Sequence, residues 1–191
     1  MKKLTIFLFS LIIGLNTCLA ANEELSKQAV AFYSDNNFDK TMDMLLRISE
    51  YDRTAQDWLL LGNLLDEKGQ TEDAIYMYQK AIVKDPKFYK SYYNLANIYA
   101  NQCKNVIAIE NYKKAIKYND KNPYIYYNLA SLYISEHEYK LAKNELIKAV
   151  TLKNDIPEIH YNLAYVYQKL NKPKLAQTYL DNYNKLVPEE Y

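Results

Sequence analysis

A period of 34 residues governs this chain. Leu61-Gly62, Leu95-Ala96, Leu129-Ala130 and Leu163-Ala164 recur at that interval, as do Ala74, Ala108, Ala142 and Ala176. So do Leu65, Tyr99, Tyr133 and Tyr167. Asn94-Leu95-Ala96, Asn128-Leu129-Ala130 and Asn162-Leu163-Ala164 place one tripeptide in three registers. Columns locked to one period mean that each copy is a supersecondary unit that cannot bury its apolar face alone and is stable only when stacked on neighbours. The chain has only three glycines. Few tight turns are possible, which predicts helices rather than strands. Charged residues at 25% and hydrophobic residues at 49% are ordinary for a folded chain.

At Trp58, Leu61, Gly62, Leu65, Ala74, Tyr78, Ala81 and Pro86 the pattern resembles the tetratricopeptide signature, with Leu65 where Tyr is usual. Tyr92, Leu95, Ala96, Tyr99, Ala108, Tyr112 and Ala115 carry the next copy, and Tyr126 to Ala149 and His160 to Pro188 the following two. A weaker first copy uses Leu25, Ala29, Phe32, Phe38, Thr41, Leu45 and Ile48, one residue out of register. The repeats are therefore read as 22–54, 55–88, 89–122, 123–156 and 157–190. The resemblance implies an all-α, right-handed superhelical solenoid of five helix–turn–helix repeats. The small residues at 62, 96, 130 and 164, and the Ala column of the second helices, let paired helices approach closely. Pro123 and Pro157 suit a first helical position, Pro86 and Pro188 a stop, and Gly69 and the Asn171-Lys172-Pro173 stretch a turn between helices. In the fifth repeat Asn184 stands in the column of Ile82, Ile116 and Val150, and Ile75 and Ile109 become Lys143 and then Gln177, which predicts a polar terminal face.

The first 20 residues read differently. Lys2 and Lys3 precede a twelve-residue apolar run, Leu4 to Leu15, and small residues follow. The run is shorter than the roughly 20 residues of a spanning helix and has the form of a secretory signal peptide. Cleavage after Ala20 is one expectation. Leu15-Asn16-Thr17-Cys18 also resembles a lipoprotein processing site, although Thr17 stands where that pattern has Gly, Ala or Ser, so lipidation at Cys18 is the alternative. Either route predicts an extracytoplasmic, periplasmic protein, attached to the membrane only if Cys18 is lipidated. Loss of Lys2 and Lys3 takes the basic side chains from 24 to 22 against 23 acidic ones, a net charge of −1. That balance argues against a nucleic-acid partner.

At about 100° per residue, repeat positions 2, 6, 9 and 13 of each first helix point away from the core. The resemblance implies that this face lines a concave groove. It reads Gln56, Leu60, Asn63, Glu67; Lys90, Asn94, Asn97, Asn101; Tyr124, Asn128, Ser131, Ser135; and Glu158, Asn162, Tyr165, Lys169, flanked by Tyr93, Tyr127 and Tyr161. An Asn amide both donates and accepts, so Asn94, Asn128 and Asn162 suit a peptide backbone, or equally a neighbouring helix. The three tyrosines suit a ligand's side chains or internal packing. The partner expected here is another protein or an extended peptide. Two alternatives are a lipoprotein subunit of an envelope assembly, such as one of pilus or outer-membrane biogenesis, and a glycan stacked on the tyrosines. The two-carboxylate clamp of some family members is not matched. Its positions hold Ser26, Val30, Leu60, Lys90 and Asn94, or one repeat on Leu59, Asn63, Asn94, Tyr124 and Asn128.

Nothing in the chain predicts an enzyme. No Gly-rich phosphate loop is possible with Gly62 and Gly69 alone. His137 falls in a turn, His160 replaces a core aromatic, and neither has a second ligand at metal spacing. Cys103 sits in a turn. No catalytic residue, metal or cofactor is expected.

Overall fold

The structure is a computed structural model, and it describes the backbone of residues 2–187 and the side chains of residues 17–187. The side chains of the apolar run Leu4–Leu15, and Pro188 with its expected stop, lie outside the described residues. Every element is an α-helix, and among the described residues there is no strand. The chain forms two compact units, one up to Pro86 and one from Lys87. The first holds α1 (Lys2–Ser34), α2 (Phe38–Arg47), α3 (Ala55–Glu67) and α4 (Thr71–Lys84). The second holds α5 (Tyr89–Asn101), α6 (Asn105–Tyr118), α7 (Pro123–Ser135), α8 (Tyr139–Leu152), α9 (Pro157–Lys169) and α10 (Pro173–Leu186). Consecutive helices pack as five pairs. The backbone of α1 continues through Ala20 into the leader, with no break at the expected cleavage point.

The turn inside every pair has one construction. Asn36, Gly69, Cys103, His137 and Asn171 are all left-handed, with φ between 55° and 74°. The following N–H reaches back five residues: Asn37 to the Phe32 carbonyl at 2.8 Å, Gln70 to Leu65 at 2.9 Å, Lys104 to Tyr99 at 2.8 Å, Glu138 to Tyr133 at 2.8 Å and Lys172 to Tyr167 at 2.9 Å. This closure satisfies helix-end carbonyls. Gly and Asn adopt the conformation readily; Cys103 and His137 do so at some strain. Their positions are thus fixed by the turn, and both side chains are exposed. Pro123, Pro157 and Pro173 each open a helix.

Close approach of paired helices explains the small-residue columns. Ala74, Ala96, Ala108, Ala130 and Ala142 are completely buried. At Gly62 a Cβ would lie 2.5 Å from Cε1 of Tyr78. The phenol of Tyr78 is held by a 2.9 Å hydrogen bond to Oδ1 of Asn63, so the ring cannot swing aside freely. Gly62→Ala gains about 1 kcal/mol of helix propensity but overpacks the pair. A net loss of about 1–2 kcal/mol is expected by chemical denaturation; an unchanged or raised midpoint would contradict this packing.

Two further side chains complete the picture. His160 is buried, and its Nε2 lies 2.7 Å from the Asn154 carbonyl, while its ring rests 6.0 Å from that of Tyr179. It is a core residue, as its place in the aromatic column predicts. Leu60, placed by helical angle on the open face, is buried instead, in the unit where α1 packs directly on α3.

Candidate functional site: the asparagine and tyrosine face of the second unit

Short turns make successive helices antiparallel, so α5, α7 and α9 run parallel, and each touches the next. Together they present one face, and most of the sequence-predicted groove residues lie on it. Lys90, Tyr124 and Tyr161 are exposed, and Tyr93, Asn94, Asn97, Tyr127, Asn128 and Asn162 are half-buried.

Part of this face is knitted together. The Tyr112 hydroxyl, rising from α6, donates to Oδ1 of Asn97 at 2.6 Å. Nδ2 of Asn128 donates to the same oxygen at 3.1 Å and to the Tyr93 phenol oxygen at 3.1 Å. The rings of Tyr93 and Tyr112 sit 6.1 Å apart. Burial, with the nearby Tyr93 phenol adding to it, pushes the Tyr112 pKa up, so its hydroxyl stays a donor. The amide hydrogens of Asn128 are therefore committed to joining α7 to α5, and its carbonyl is the acceptor left to a ligand.

Asn63, in the first unit, plays the part of Asn97: it accepts from the tyrosine 15 residues further on. This pairing was missed in the sequence, yet it leaves a signal there. Asn63 goes with Tyr78 and Asn97 with Tyr112; where position 9 becomes Ser131 or Tyr165, the partner position becomes Leu146 or Leu180.

The next step along the row differs. Ser131, at the place of Asn97, is shorter and donates to the Tyr127 carbonyl in its own helix at 3.0 Å. Asn162 thus lacks the counterpart that holds Asn128, and no hydrogen bond of its side chain is found among the described residues. Tyr124 and Tyr127 line a cavity of about 400 Å³ with Lys153, Ile156 and Glu158. Lys153 Nζ lies 6.0 Å from the Tyr124 ring centre and 3.9 Å from Asp155, so this charge is balanced locally. Tyr161 rests against Tyr183, with ring centres 5.5 Å apart. The face offers amide and phenol groups above apolar ring surface, with little net charge. Such a surface suits hydrogen bonding and ring packing with a ligand. Among the described residues no group of three or more His, Cys, Asp or Glu could hold a metal ion. No described helix is long and apolar enough to cross a membrane.

Helix pairs stacked in series, presenting one such face, define a helical-repeat scaffold. Residues 62–102 and 107–136 match a family model described as TPR repeat, and residues 123–156 and 157–186 one described as tetratricopeptide repeat. The chain belongs to the tetratricopeptide repeat family. Among solved structures it is similar to one titled for the functional characterisation of pilF from Pseudomonas aeruginosa, with a TM-score of 0.78 at 16% identity over 90% of this chain and 78% of that one. It is also similar to a MamA crystal structure, with a TM-score of 0.72 at 21% identity over 83% of this chain and 93% of that one. These likenesses establish the fold. A curated relative, the peroxisomal targeting signal receptor of Saccharomyces cerevisiae, is 37% identical over 68 residues, which is 34% of this chain and 11% of the relative. The match thus spans about a tenth of that receptor's length.

Proposed function

We propose that this chain is an exported, non-catalytic scaffold that captures an extended segment of a partner protein on the face formed by α5, α7 and α9. The observation that carries this reading is the run of half-exposed Asn and Tyr side chains on three parallel helices. It is nearly uncharged and supplies backbone-like hydrogen-bonding groups beside aromatic surface. The tetratricopeptide fold supports it as a scaffold for protein partners. So does the name of the curated relative, a receptor for a targeting signal.

Tyr124 and Tyr127 line the cavity beside Ile156 and Glu158, and their rings pack on the bound segment's side chains. The double substitution Tyr124→Ala and Tyr127→Ala is expected to lower partner recovery in co-purification at least fivefold, with the helical circular dichroism spectrum unchanged. Undiminished recovery from a folded double variant would place the partner elsewhere.

Export is tested separately. The protein recovered from cells is expected to begin near Ala21 and to fractionate outside the cytoplasm. Intact mass spectrometry distinguishes this from a Cys18 N-terminus carrying several acyl chains, which stable anchoring requires. A cytoplasmic protein retaining Met1 would refute export.

A further inference from the structure

We propose that the groove between α9 and α10 docks one amphipathic helix of a partner protein, lying alongside α9 and ending in acidic residues against Lys172 and Lys174. This groove adjoins the face of α5, α7 and α9 that takes the extended segment, with Tyr161 and Tyr165 lining both, but Leu180, Lys172 and Lys174 lie outside that face and carry this proposal. In the second unit α7 packs on α6 and α9 packs on α8. Beneath them Tyr112 and Leu146 are only 2% and 0% exposed; Leu180, in the same column, is 37% exposed. It lies in a groove of about 380 Å³ with Ala164, Gln168 and Ala176, and α10 buries no residue fully. The polar terminal face expected from Gln177 and Asn184 is real at those positions, which are exposed, but beside them the repeat leaves an apolar seat open.

The molecule shows what fits such a seat. The helix that follows α8 is α9, which buries Ile159, Leu163 and Val166 completely; α7 presents Ile125, Leu129 and Leu132 at the same positions. The occupant therefore carries apolar residues at i, i+4 and i+7, the spacing of helix-in-groove recognition.

Charge selects its end. Because first helices run parallel, the end of each lies beside the turn of the pair before it. Asn105, at the start of α6, accordingly donates to Glu136 at the end of α7. The α7–α8 turn carries Glu136 and Glu138, whereas the α9–α10 turn carries Lys169, Lys172 and Lys174, all exposed, with no acid between Gln168 and Thr178. None of these lysines has an ion pair among the described residues. A helix lying along α9 brings its C-terminus, the negative end of its dipole, to this turn, and acidic side chains there complete the match. A second copy fits poorly. Its α1 offers Glu24, Gln28 and Ala31 at the positions of Ile159, Leu163 and Val166, and Gln28 donates to Glu24 at 2.9 Å.

The test uses the full chain and fluorescein-labelled helical peptides as long as α9, with Ile, Leu and Val at the spacing of Ile159, Leu163 and Val166. One peptide ends in three Glu, another in three Lys. Fluorescence anisotropy is expected to show saturable binding of the acidic peptide, at least tenfold tighter than of the basic one. Leu180→Arg should weaken it at least tenfold. Lys172→Glu with Lys174→Glu, both on exposed side chains that leave the fold intact, should reverse the preference between the peptides. Equal binding of the two peptides, or full binding by Leu180→Arg, would overturn the proposal. So would sedimentation equilibrium showing self-association that Leu180→Arg abolishes, which would make the occupant a second copy. The Tyr124→Ala and Tyr127→Ala variant should bind the acidic peptide normally, so failure of the extended-segment reading is read apart from failure of this one.

Discussion

Asp57→Ala is expected to cost about 2–5 kcal/mol in chemical denaturation. Asp57 is 1% exposed. Its Oδ2 accepts from the Thr54 N–H at 2.8 Å and from the Thr54 hydroxyl at 2.7 Å. Thr54 Oγ1 in turn accepts the Asp57 N–H at 3.2 Å, completing a capping box at the start of α3. The other carboxylate oxygen accepts from the Ser26 hydroxyl on α1. The one side chain therefore caps α3 and ties α1 to it. Truncation removes the cap, worth about 0.5–2 kcal/mol, and leaves a part-buried Ser26 hydroxyl without its charged partner, at about 1.5–3 kcal/mol for a hydrogen bond to a charged group. Ser26→Ala, which keeps the capping box, should cost clearly less. A loss below about 0.5 kcal/mol for Asp57→Ala would mean that water replaces these bonds without penalty.

Replacing Asn94, Asn128 and Asn162 together by Ala should lower partner affinity by one to three decades, about 1.5–4.5 kcal/mol if each lost neutral hydrogen bond contributes about 0.5–1.5 kcal/mol. Salt should change this affinity little, because no cluster of cations lines the face. The three residues are not equivalent. Asn128 holds α7 to α5 through Asn97 and Tyr93, so Asn128→Ala alone should lower stability by about 1–3 kcal/mol. Asn162 makes no such bonds, so Asn162→Ala should leave the melting curve nearly unchanged while weakening capture about two- to tenfold. Thermal melts and co-purification of the single and triple variants separate the roles. A triple variant that loses stability but still captures its partner would show the row to be structural.

The path from sequence to structure was clear where one constraint acts along the chain. The 34-residue columns fix the helix pairs, because a residue wedged between two close helices must be small, as Ala108 and Ala142 are. Gly69 and Asn171 announced their left-handed turns by residue type. Cys103 and His137 occupy the same turn without a favoured residue, so only the period points to their conformation. The face was less legible, since helical angle says which way a residue points but not what reaches over to meet it. Tyr112 crosses from α6 to take the Asn97 carbonyl, and Asn128 follows it, which no count along one helix reveals. Asp57 went unread because its partner Ser26 lies in the divergent first repeat, where the register slips by one residue.

The most direct measurement is site-specific photocrosslinking in living cells, with a benzoylphenylalanine replacing Tyr124 or Tyr127 on the face, or Lys113 on the exposed side of α6. A discrete protein adduct from Tyr124 and Tyr127, absent from Lys113, is the predicted result. Adducts from Lys113 with none from the two tyrosines, in variants that retain the helical spectrum, would contradict the assignment of this face as the partner-binding surface.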